Sequence, residues 1–418
     1  MTMDASMWPI VLAGAAAFLN LYATQPLLPL LAARFQASAF QVGLTVTAPT
    51  VAVAIFAPLV GRLADTTGLR RVIVGSAFLL AAATALAATS TSLTQLIVWR
   101  FVQGIVTPGV FASSVAYIHE RWPVERAGRA TAAYMTGTIV GGFVGRASAG
   151  LIASDADWHL SFVALAAGVC AIAIALWRYL PEARDVGSEA LQGRRAEDSR
   201  PKGLRYGFAT LLRNRQLVAT WAIGFCVLFI NVAMFTYVTF HLAAPPYGLS
   251  TAALGWLFVV YLVGAVVTPL SGGWIDTYGH RVGIGAAMAI GAAGALMTLA
   301  PSLWAIVAGL ALSSTGVFIA QTATSSYIGA VTDQDRGLAV GLYSTCYYAG
   351  GSVGGVAPAL VWNAGGWPAC VALVVAIQAT GAAIAFTQWT SPSGGAASSP
   401  ENRSPAARRE SAAARLLP

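Results

Sequence analysis

Charge is scarce in this chain: of 418 residues only 10% are charged and just 16 are Asp or Glu, whereas a soluble domain carries roughly a quarter. That shortage excludes an ordinary water-soluble enzyme. The four cysteines, Cys170, Cys226, Cys346 and Cys370, stand far apart in apolar stretches. No Cys-x-x-Cys or Cys/His spacing suited to a metal or a disulfide framework occurs, so neither metal nor cofactor is expected. The opening MTMDASMWPIVLAG has no basic stretch and no small-residue cleavage site, so a removed leader is not expected. The net charge of +8 does not point to nucleic acid, because the basic residues never form a face with interleaved aromatics.

What the chain has in abundance is hydrophobic residues, 57% of the total. Runs long enough to cross a bilayer fall at about 8–33, 41–61, 72–90, 93–118, 129–152, 160–180, 217–241, 251–272, 282–300, 303–329, 337–361 and 367–389. They lack the short alternation of barrel strands, so twelve transmembrane helices are expected and an all-α membrane protein follows. Trp8, Trp122, Trp158, Trp177, Trp221, Trp304, Trp362, Trp367 and Trp389 fall near span ends, where interfacial anchors belong.

Lys and Arg set the orientation. Alternate loops hold Arg62, Arg70, Arg71, Arg121, Arg126, Arg129, the cluster from Arg178 to Arg215, Arg281, Arg336 and the tail arginines, while the opposite loops hold Arg34 alone. By the positive-inside rule both termini are expected in the cytoplasm. Residues 181–216 are a polar linker that divides the chain into bundles at 1–180 and 217–390, and the Ser/Pro/Ala-rich segment 391–418 is expected to be a disordered cytoplasmic tail.

A shift of 211 residues lays Ala57–Arg70 over Thr268–Arg281, with Pro, Leu, Gly, Asp, Thr, Gly and Arg coinciding, and Asn20 over Asn231. A shift of 209 carries Gly128, Ala130, Tyr134, Gly141, Gly142, Gly145 and Trp158 onto Gly337, Ala339, Tyr343, Gly350, Gly351, Gly354 and Trp367. Two homologous six-helix halves follow, and parallel repeats of this kind suit a rocking carrier with its site between them.

Up to about residue 390 the chain resembles the major facilitator superfamily. Gly61-x-Leu63-Ala64-Asp65-x-x-Gly68-x-Arg70-Arg71 is similar to that family's loop 2–3 signature, 272–281 to its weaker counterpart, and Arg100-x-x-Gln103-Gly104 to its span-four motif. The run from Leu21 to Pro29, with Gly141–Arg146 and Asp157-Trp158, resembles more narrowly the arabinose-efflux and YnfM-like exporters of bacterial inner membranes. The resemblance implies a multi-pass protein of the bacterial cytoplasmic membrane, proton-coupled, monomeric and not an enzyme, exporting drugs, sugars or metabolites. Proton-coupled uptake of a small nutrient is the alternative. It also implies a conformational latch at Gly61, Asp65, Gly68, Arg70 and Arg71, with Gly272, Asp276, Gly279 and Arg281 as the second copy. Arg146 and Ala149 depart from the antiporter motif of span five, which weakens the inference of drug/proton antiport.

Arg100 and Arg146 lie inside spans, where a charge is a functional hypothesis by default; snorkelling to the interface is the other reading. Carried over from the family motif, Arg100 bonds polar groups of span one such as Gln25 and couples proton movement to conformation. No Asp or Glu falls in mid-span, so a proton would titrate on an edge carboxylate, on His241 or on the substrate. Asn20, Tyr22, Gln25, Gln103, Asn231, Tyr237, Gln321, Tyr343 and Tyr347 are candidates to line a central cavity, each alternatively a helix–helix hydrogen bond. Aromatic and small residues suit a weakly polar organic solute, and two arginines without counterions leave an anion open.

Overall fold

The structure, a computed structural model, describes residues 7–182, 211–332 and 336–389, without the side chains of Gly61, Arg62, Asp65, Val124, Glu125 and Arg336. Most of the linker and the whole tail lie outside the described residues.

The described chain is helical throughout. Span 1 is broken, running Trp8–Leu21, a 3₁₀ turn Gln25–Leu27, and Leu28–Phe35. Spans 2 to 7 are Ala39–Thr67, Leu69–Ala87, Leu93–Arg121, Val124–Asp155, Trp158–Tyr179 and Arg215–Ala243. Span 8 is interrupted, Thr251–Leu257, a 3₁₀ turn Phe258–Leu262 and Val263–Tyr278; spans 9 and 10 are His280–Met297 and Leu303–Val331. Span 11 is Arg336–Val356 together with the start of Pro358–Gln388, a helix broken at Gly366 (φ 58°), where span 12 begins. Twelve membrane-length rods therefore stand where hydropathy places them. Ten are long and apolar enough to cross a membrane by themselves; spans 5 and 11 fall short, each carrying six glycines between Val124 and Asp155 or between Arg336 and Val356.

The loop signature is less of a loop than expected. Span 2 stays helical through Thr67 and span 8 through Tyr278, and a single glycine makes each turn, Gly68 at φ 91° and Gly279 at φ 86°. Both values lie in the positive region that glycine alone enters without strain. Capping fixes several helix starts: Ser38 and Gln41 form a reciprocal capping box, and Ser92, Asn214 and Ser250 accept from the first turns of spans 4, 7 and 8. Asp157 accepts from the His159 backbone N–H, which holds its carboxyl below the usual range, while His159 Nε2 lies 3.0 Å from the Ser90 carbonyl.

The two halves repeat one packing plan. Span 1 lies against spans 4, 5 and 6, and span 7 against 10, 11 and 12; span 4 lies against 2 and 3, and span 10 against 8 and 9. The repeated glycines explain the close approach. A Cβ on Gly141 would meet Ala15 Cα at 2.5 Å, one on Gly350 would meet Phe225 C at 2.7 Å, and ones on Gly145 and Gly354 would run into the carbonyls of Leu19 and Phe229. The duplicated residues thus make duplicated backbone contacts, span 5 on span 1 and span 11 on span 7.

The tryptophan expectation needs correction. Trp304 and Trp177 are 83% and 60% exposed, as lipid-facing anchors should be, but Trp158, Trp221, Trp367 and Trp389 are buried. Three of these indole N–H groups reach protein instead: Trp221 donates to Ala339 O, Trp367 to Thr298 and Trp389 to Thr220 Oγ1. They are internal struts between helices of one half.

Candidate functional site

Neither buried arginine snorkels: Arg100 is 0% and Arg146 5% exposed. Arg100 is explained by the backbone around it. Pro49 has no N–H to give the Thr45 carbonyl four residues back, and at the break in span 1 the Gln25 N–H turns to Tyr22 O, leaving Leu21 O unsatisfied. Arg100 answers both. Its Nε donates to Thr45 O (3.0 Å), Nη1 to Asn20 O (2.8 Å) and to Gln103 Oε1, and Nη2 to Leu21 O (2.5 Å). Gln103 then donates to Thr84 Oγ1 at 3.1 Å, and Gly104 lets span 4 touch span 2 beside the Pro49 carbonyl. The Arg-x-x-Gln-Gly motif is a clamp around two interrupted helices.

The expected bond between Arg100 and Gln25 is not made. Gln25 serves Arg146 instead, accepting from its Nε at 2.8 Å, and donates across the halves to Thr236 Oγ1 at 3.2 Å. Arg146 Nη1 donates to Gly142 O (2.7 Å), and its guanidinium lies 5.0, 4.9 and 5.0 Å from the rings of Tyr22, Phe258 and Tyr261, within the reach of a cation–π contact. Phe258 and Tyr261 belong to the interrupted span 8, and neither was singled out by sequence reasoning; the 3₁₀ turn that aims them carries no glycine or proline to mark it. Tyr261 donates to Asn231 Oδ1 at 2.6 Å.

The other candidates are dispersed. Tyr22 is buried against Arg146, and Asn20 is buried with its backbone carbonyl on Arg100, but Tyr237 bonds Gly355 O (3.2 Å) and ties span 7 to span 11. Tyr343 and Tyr347 pack on each other at 5.7 Å, and Gln321 is half-buried on span 10. His241 is stacked on Trp367 at 5.5 Å, apart from either arginine's bonds. Of the latch residues, Arg70 bonds Leu180 O and Trp177 O (2.6 and 2.7 Å) with Glu182 at 3.7 Å, and Arg281 bonds Phe386 O at 2.5 Å. Each therefore holds the last helix of its own half. Arg71 and Asp276 are exposed and Gly272 faces open space, while Gly61 and the Asp65 side chain are outside the described set.

The halves meet at one end. Span 2 lies on span 11 and span 5 on span 8: a Cβ on Gly43 would meet Gly355 O at 2.6 Å, and one on Gly150 would meet Thr251 O at 2.6 Å. Thr47 donates to Ser352 O (2.8 Å) and Ser352 to Thr50 Oγ1 (3.0 Å). Deepest along span 2, Thr345 donates at 3.2 Å to Ala54 O, the carbonyl that Pro58 leaves without a helical partner. At the arginine-rich end, Gly128, Gly272, Gly273, Gly337 and Gly341 meet nothing within 4 Å.

Thr345→Val removes that donor and should weaken the contact by about 1 kcal/mol, about fivefold in the ratio of closed to open. Labelling of a cysteine at Thr47 in a cysteine-free background reads it. Adding Pro58→Ala, which returns an N–H to Ala54 O, should restore slow labelling.

Two like bundles that, among the described residues, are joined at one end, with the charged Arg146 buried between them, define a membrane carrier. The chain belongs to the Major Facilitator Superfamily, whose sequence profile matches residues 10–250 and 242–417. It is 30% identical over 365 residues to the MFS-type transporter YybF of Bacillus subtilis (strain 168), covering 87% of this chain and 88% of that one. It is 31% identical over 355 residues to the inner membrane transport protein YnfM of Escherichia coli (strain K12), covering 85% and 83%. Its fold matches a bacterial homolog of the human lysosomal transporter Spinster, in an inward-facing and unoccupied conformation, with TM-score 0.74 at 16% identity over 92% of this chain and 96% of that one. The protein is a multi-pass secondary transporter of small molecules, not an enzyme.

Proposed function

We propose that the chain exports a small organic solute across the bacterial cytoplasmic membrane by alternating access, coupled to protons. The observation that supports alternating access is that, among the described residues, the halves close on each other at one end, between spans 2 and 11 and spans 5 and 8. With the arginine-rich end in the cytoplasm by the positive-inside rule, the conformation is inward-facing and loads from inside. In the opposite conformation that end closes, and Asp65, next to the Gly68 turn, becomes its latch. A monomer suffices, since each half supplies part of the interface.

Everted vesicles holding an acid interior test this. Addition of the transported solute, screened among drugs, sugars and organic acids, should collapse the pH gradient as protons leave in exchange. Asp65→Asn should cut flux at least tenfold with normal membrane insertion. Accumulation in right-side-out vesicles under an inward proton gradient would reverse the assigned direction.

A further inference from the structure

We propose that Arg146 anchors a binding site for a monovalent organic anion, a carboxylate with an apolar body. This deepens the export reading by naming the charge of the cargo, and it rests on that reading only for the direction of movement. The two buried guanidiniums differ in what they lack. Arg100 spends its donors on three carbonyls and Gln103. Arg146 makes two hydrogen bonds among the described residues, to Gln25 and to Gly142 O, and the rest of its guanidinium faces rings. No Asp or Glu stands in the middle of any described span, so none of the described residues neutralises the charge, and an unpaired buried charge is the costliest arrangement a helix bundle holds.

Beside Arg146 a polar group is also unpaired. The Tyr22 hydroxyl is buried with no partner although its ring faces Arg146, and on the same broken segment the Asn20 side-chain amide and the Thr24 hydroxyl are buried with none. The guanidinium and the phenol beside it supply donors that a carboxylate takes, the first through charge-assisted hydrogen bonds. Phe258 and Tyr261 then offer ring surface from the other half, with Tyr261 held by Asn231. One free guanidinium suits one negative charge, and the aromatic neighbours suit an apolar body rather than a phosphate. Charge on the cargo also joins the membrane potential to the cycle, because an inside-negative potential drives an anion outward.

The full-length chain, purified in detergent, tests this by calorimetric titration with benzoate and 1-naphthoate, each beside its neutral amide, and with benzylammonium. Saturable binding of at least one acid is expected, at least tenfold tighter than its amide. Arg146→Gln should weaken it at least tenfold, Arg146→Lys less, and Tyr22→Phe a few-fold, each variant first shown to elute as one folded species. If Arg146→Gln does not fold, Arg146→Lys and Tyr22→Phe decide. Equal binding of acid and amide, preference for benzylammonium, acid binding indifferent to these substitutions, or no binding of either acid would each overturn the proposal. Loss of flux with anion binding intact would count against the export reading and leave the site standing.

Discussion

Arg100→Leu should leave little folded protein. The substitution strips the hydrogen-bond partner from Thr45 O and Leu21 O, two carbonyls that no helix of their own can satisfy, and takes one donor from Asn20 O. A buried acceptor left unsatisfied costs about 1–3 kcal/mol, and hydrogen bonds from a charged donor are at the strong end. The expected destabilisation is therefore about 3 kcal/mol or more, read as a drop in the midpoint of thermal unfolding and in the recovered monodisperse fraction. Arg100→Lys should recover only part, since an ammonium cannot span acceptors on spans 1, 2 and 4 with one planar fork. The discriminating companion is Pro49→Ala, which returns an N–H to Thr45 O; in that background Arg100→Lys should lose less. Equal losses with and without Pro49 would mean that Arg100 acts through something other than these carbonyls.

Substitution of the repeated glycines should be nearly as severe and should show the symmetry of the molecule. A Cβ at Gly145 falls on the Leu19 carbonyl, and one at Gly354 lies 2.6 Å from the Phe229 carbonyl. Neither neighbour is a flexible side-chain tip; both are helix backbone, so the whole rod must move. Overpacking of this kind costs about 1–3 kcal/mol. Gly145→Val and Gly354→Val are each expected to abolish flux and lower the unfolding midpoint by similar amounts. Gly75→Ala, at a helical position with nothing within 4 Å, should be neutral or stabilise by up to about 1 kcal/mol. A Gly75 variant as damaging as the Gly145 variant would show that the loss reflects insertion rather than close approach.

The fold was legible because each level of the sequence repeats. Hydropathy marks the rods, the 211 and 209 offsets mark the halves, and the matched glycines turn out to be matched contacts on spans 1 and 7. Gly68 and Gly279, matched across the two copies of the loop signature, both adopt positive φ. The site was legible only in part. Arg100, Arg146, Gln25 and Asn231 were named, but the sequence assigned Gln25 to the wrong arginine. Hydrogen bonds from Arg100 go mostly to backbone carbonyls, which have no letter in a sequence; the usable signal was Pro49, whose missing N–H marks an acceptor in need four residues earlier. Phe258 and Tyr261 went unread because an aromatic in an apolar run looks like any other until span 8 changes its helical pitch there. The tryptophans misled for a related reason: nearness to a span end does not say which way the indole faces.

Arg100 and Arg146 both ride on the first bundle with no acidic side chain in mid-span to move with them. Each unit of charge carried through the full voltage drop is worth about 2.3 kcal/mol per 100 mV, so even a partial excursion during the tilt makes the empty protein a weak voltmeter. Its resting share between the two orientations then depends on how energised the cell is, before any cargo arrives.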